Sequence, residues 1–162
     1  MSKNNFFYQS PEKLSRKREE MLRKLVEAHF NEQQISWFEK AYDFFIIHPS
    51  GYNGATMSQD LHDIAPEGAV NGLEFASMLH DYLYIIFKVS TDRVYMKKAD
   101  IVMKRVMYMT SKSGWEISRR MFALWIIRWN LTFWRLNVEK REAMTKHDKI
   151  QMEVVYAAFA KA

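Results

Sequence analysis

Helix-start signals recur along this chain, each followed by apolar residues three or four apart, and that pattern constrains the fold more than any other feature. Ser10-Pro11 sets a capping hydroxyl before a proline whose fixed φ suits the first helical position; Leu14, Met21, Leu22, Leu25, Val26 and Phe30 follow. Asn31 and Gln34 form a capping-box pair ahead of Ile35, Phe38, Tyr42, Phe45 and Ile46, and His48-Pro49 ends that run. Asn71 with Glu74 is expected to open a third helix, with Phe75, Met78, Leu79, Tyr82, Leu83 and Ile86 turned inward. Ser90, Thr91 and Asp92 open a fourth, bearing Val94, Ile101, Val102, Arg105 and Val106 and reaching Ser111 before Gly114. Ser113 with Glu116 opens a fifth, rich in Trp, Phe and Ile, and a last helix is expected from about Glu139.

No alternation of period two runs long enough to specify a strand, although Ile85 to Val89 is short and β-branched enough to read either way. The expectation is an all-α fold. At 162 residues the chain has the size of one domain, and 48% hydrophobic against 27% charged residues excludes a disordered or low-complexity chain. Residues 1–47 form an N-terminal helical pair, 48–136 a core and 137–162 a C-terminal helix.

The chain has no cysteine, so disulfide and thiol chemistry are excluded, and Met1 to Gln9 lacks the apolar run of a secretory signal. Synthesis in a reducing cytoplasm is expected. Met121 to Leu136 is the longest apolar stretch, but Arg128 and Asn130 interrupt it, which argues against a bilayer span. Its Trp115, Trp125, Trp129 and Trp134 suit a core or a subunit interface, and a membrane-facing surface with Arg119, Arg120, Arg128 and Arg135 is the alternative. The net charge of +5 favours acidic partners without choosing between nucleic acid and an anionic lipid surface. The first helix carries Lys13, Arg16, Lys17, Arg18, Arg23 and Lys24, yet Glu12, Glu19, Glu20, Glu27 and Glu32 dilute that field, so a nucleic-acid contact there has weak support.

Pro49 to Gly72 holds most of the glycines and prolines and reads as a long loop, of the kind that usually carries function. The helix after it carries His80-Asp81-Tyr82-Leu83-Tyr84. His80 and Tyr84 lie four residues apart on one helical face, and Asp81 is turned about a quarter circle onto the next. An imidazole serves as a general base near neutral pH when a carboxylate holds its second ring nitrogen, and Asp100 on the following helix is the candidate for that role. Asp81 then suits a hard cation such as calcium, with further oxygens from the Ser50 to Thr56 loop, Tyr52 and Gly54 among them. His62-Asp63 reads as a cap or turn.

His80-Asp81-Tyr82-Leu83-Tyr84 resembles the His-Asp-x-x-Tyr helix of the phospholipase A-two superfamily, with Lys98-Ala99-Asp100 similar to its second aspartate on an antiparallel helix. Three segments in order, His48 to Thr56, the motif itself, and Ala99-Asp100 with Met103 and Met107, resemble a bacteriophage family of helical proteins named for its HDxLY motif. The resemblance covers roughly residues 48 to 130. It implies two central antiparallel helices with His80 as base, Asp100 orienting it, Tyr84 bonded to Asp100, and Asp81 as calcium ligand. It also implies an oxyanion held by calcium and a backbone N–H of the Gly51 to Gly54 loop. Gly51-x-x-Gly54 is looser than the superfamily's glycine repeat, and Asn53 stands where the phage family usually has an acidic residue.

The same four residues also make a structural network, since buried polar groups in a helical core must be satisfied. Two classes of protein are consistent with these features: a bacteriophage particle component retaining a phospholipase-like core, with other particle proteins or further copies of itself as partners, and a calcium-dependent lipid or ester hydrolase. A metal-dependent phosphohydrolase using His48, His80, Asp81 and Asp148 ranks below both. The expected location is the bacterial host cytoplasm and the virion.

Overall fold

The computed structural model describes residues 10–49, 67–111 and 142–160, together with Ser118 and Phe122; for 67–74 only the backbone is described. The described residues are helical, with helices α1 (Pro11–Glu27), α2 (Glu32–Ile47), α3 (Glu67–Ile86), α4 (Arg93–Thr110) and α5 (Lys146–Ala160). Among them there is no strand, and the ambiguous stretch after Ile85 finishes α3 and enters a single 3-10 turn, Val89–Thr91. None of these helices is long and apolar enough to cross a membrane.

The caps expected from sequence set several of the boundaries. The Ser10 side chain accepts from the Lys13 amide, with Pro11 at the helix start. Asn31 and Gln34 exchange both capping-box bonds at 2.9 Å. Asp92 accepts from the Val94 amide and opens α4. Two boundaries differ from expectation. Helix α3 starts at Glu67, a turn before Asn71, so the loop expected to run to Gly72 gives way to helix earlier. Helix α5 starts at Lys146 rather than near Glu139, because Thr145 and Asp148 form their own reciprocal capping pair, at 2.9 and 3.1 Å.

Helix α1 also stops before Phe30. His29 takes a left-handed φ of 64°, the His29 amide donates to the Val26 carbonyl and the Phe30 amide to that of Leu25, a Schellman closure with histidine where glycine is usual. That turn delivers Phe30 to the core, where its ring meets Phe38 edge-on at 5.3 Å and Phe159 at 6.4 Å. Phe38 and Phe159 stand 5.9 Å apart, so one aromatic cluster ties the α1–α2 junction to the end of α5. Gln34 reinforces the same junction, its Nε2 donating to the Ala158 carbonyl at 3.0 Å inside the core.

Helices α3 and α4 pack most extensively against each other. Only Phe87 to Asp92 joins them, so α4 must turn back along α3 and the pair is antiparallel. Beyond α4 lies α5, running in the same direction. The Met144 amide donates to Thr91 Oγ1 at 3.1 Å, Lys149 pairs with Asp92 at 3.4 Å, and Lys98 pairs with Glu153 further along both helices. Helix α2 closes the core against α3, with Phe44 and Tyr82 rings 5.6 Å apart, and against α5.

Candidate functional site

Toward the C-terminal end of α3, the residues Ser77, His80, Asp81 and Tyr84 fall at spacings of three and four and so share one broad face. Ser77, His80 and Tyr84 on that face are buried, at 3%, 5% and 9% exposure. Opposite them, the antiparallel return of α4 places Asp100, at 8% exposure. His80 Nε2 lies 3.1 Å from Asp100 Oδ1, and the Tyr84 hydroxyl donates to the same oxygen at 3.4 Å. The Tyr84 ring also lies over the imidazole, centroid to centroid 4.3 Å.

The other ring nitrogen is turned elsewhere. His80 Nδ1 is 4.0 Å from Asp81 Oδ1, an ion-pair distance longer than a hydrogen bond, and the Asp81 side chain keeps a quarter of its surface exposed. The imidazole therefore stands between two carboxylates. Burial alone would push its pKa down, but the bond to Asp100, the nearby Asp81 carboxylate and the negative charge of both outweigh it, so the His80 pKa is raised above the ordinary imidazole value. The two carboxylates thus hold a proton on the ring more tightly than water would.

His80, Asp100 and Tyr84 are thus brought together as one bonded set, with Asp81 beside them. Tyr52 and Gly54, the other two residues expected as cation ligands, lie outside the described residues, as do Ser50 to Thr56 as a whole, His62-Asp63 and the tryptophan-rich run. Among the described residues no three His, Asp or Glu side chains form a group able to hold a metal ion. His48, His80, Asp81 and Asp148 do not meet either: His48 ends α2 against the Phe44 ring at 4.7 Å, and Asp148 is engaged at the start of α5.

Nothing in the sequence singles out Ser77. Its Oγ is buried without a hydrogen-bond partner among the described residues, one turn before Asp81 on the same face. A serine four residues before an aspartate carries no signal by itself; only the position of α4 across from it shows that this face is interior.

Comparison with family models, curated proteins and solved structures returns no match for the chain.

Proposed function

We propose that this chain is a particle-associated protein of a bacteriophage, built on a phospholipase-like helix pair in which His80, Asp100 and Tyr84 serve as an internal brace. The observation that carries the brace is the enclosure of the imidazole: His80 is 5% exposed, its Nε2 is bonded to a buried carboxylate, and its charge is favoured by two acids. A general base near neutral pH must instead hold a free lone pair toward water. The three segments that resemble the phage HDxLY family support the bacteriophage source. In such a protein function resides in its surfaces, and the network sets the register of α3 against α4.

A second reading, a calcium-dependent lipid or ester hydrolase, is favoured by one specific feature. Asp100 holds Nε2, which leaves Nδ1 directed toward the partly exposed Asp81, the side from which a cation and a water would have to approach. In that reading Asp100 positions the ring and stabilises the imidazolium formed when Nδ1 takes a proton from water, while Asp81 offers an oxygen to the cation.

Calorimetric titration with calcium on the wild type and Asp81→Asn, together with ester hydrolysis by the wild type and His80→Gln, separates them. The brace predicts no turnover and a less stable His80→Gln protein. Calcium binding lost in Asp81→Asn, with hydrolysis lost in His80→Gln while the fold is retained, would establish the hydrolase in its place.

A further inference from the structure

The outward face of α4 has an unusual make-up. Every exposed residue along this helix is either a cation or a large apolar side chain: Arg93, Val94, Lys97, Ile101, Lys104 and Tyr108. From Val94 to Tyr108 they recur at spacings of three and four, a single stripe about 21 Å long at the α-helical rise. Val94 and Tyr108 are each more than half exposed, at 60% and 57%. No carboxylate and no small polar residue interrupts the stripe.

Helix α5 extends it. Helix α4 turns Asp100 and Met103 inward, toward α3, and Lys98 sideways toward α5; α5 turns Phe159 inward, against Phe38, and Lys149 and Glu153 sideways toward α4. Two parallel helices that share a core side and a lateral seam must share their outer side as well. Exposed Lys146, Ile150 and Val154 therefore continue the surface begun by Val94 and Ile101. The acids at the seam, Asp92 and Glu153, are paired with Lys149 and Lys98.

We propose that this α4–α5 face docks on an anionic lipid surface. Its cations and apolar side chains are interleaved rather than segregated. At a bilayer boundary that is an advantage, because lysine and arginine stems cover apolar surface while their heads reach phosphates, and isolated Val, Ile and Tyr side chains enter the acyl margin. The charge complement selects against a second copy of the chain, which would bring Lys97 and Lys104 against like charges. The docking is independent of whether His80 is a brace or a base, since Asp100 and the stripe lie on different sides of α4.

The test is cosedimentation of the full chain with vesicles of phosphatidylcholine alone and with vesicles about one third phosphatidylserine. The expected result is partition onto the anionic vesicles only, weakening at least about fivefold as salt rises from roughly 50 to 300 mM. Lys97→Glu with Lys104→Glu, both at exposed positions and checked for retained helicity, should lower the partition about tenfold or more. The charge-matched pair Lys13→Glu with Arg16→Glu on α1 should lower it far less. Three results would overturn the proposal: equal binding to both vesicle types, equal loss from the two double variants, or no binding by the wild type, which is what a face made for an acidic protein helix would give.

Discussion

His80 on α3 and Asp100 on α4 meet at 3.1 Å across the seam of an antiparallel helix pair, each less than a tenth exposed. Their bond joins positions twenty residues apart that the sequence alone could only suggest were neighbours. It is a cross-link as much as a site, and its strength depends on its being charged.

The raised pKa of His80 makes folding stability depend on pH, with a definite sign. The folded state holds the imidazole proton more tightly than the unfolded chain does, so the stabilisation is fully present below the ordinary imidazole pKa of 6.5 and is lost as pH rises through the raised folded value. Denaturant melts across that range should show stability falling with pH in the wild type. In His80→Gln that slope should flatten. A wild-type slope of the opposite sign would mean that burial, and not the two carboxylates, dominates the ring.

Gln34 works at two helix ends at once: its Oε1 accepts from the Asn31 amide and its Nε2 donates to the Ala158 carbonyl in the last turn of α5. Gln34→Ala should cost about 2–3 kcal/mol, the sum of a lost cap bond and a buried carbonyl left without its donor. Gln34→Glu keeps the acceptor for Asn31 but turns an oxygen on the carbonyl, and should recover only part of that loss. Urea denaturation of the three proteins measures it.

His29 holds a left-handed conformation that glycine adopts without steric penalty. Because the turn it closes is what brings Phe30 to Phe38 and Phe159, the strain is maintained by packing. His29→Gly should stabilise the protein by about 0.5–1 kcal/mol, visible as a raised thermal midpoint, whereas His29→Val should lower it.

The capping residues are legible in the sequence because they act locally. Ser10, Asn31 with Gln34, and Asp92 each satisfy amides a few residues away, and each stands where the spacing predicts. Thr145 with Asp148 is equally local, but the charged run before it resembles helix, and the pattern therefore places the start of α5 too early. The start of α3 errs the other way, because Gly68 and Gly72 look like loop and lie inside a helix. Tertiary bonds are legible only where a pattern announces them. His80, Tyr84 and Asp100 do so through motif spacing; Gln34 to Ala158 joins distant positions that no local pattern pairs, and Ser77 is interior only because α4 lies across it.

A double-mutant cycle on His80 and Asp100 tests the brace most directly, with unfolding free energies measured at pH 6 for the wild type, His80→Gln, Asp100→Asn and the double variant. The account predicts that each single change costs about 3 kcal/mol or more, since it breaks a buried hydrogen-bonded charge pair from one side, and that the double variant costs much less than the sum of the two. Single variants as stable as the wild type, or losses that simply add, would contradict it.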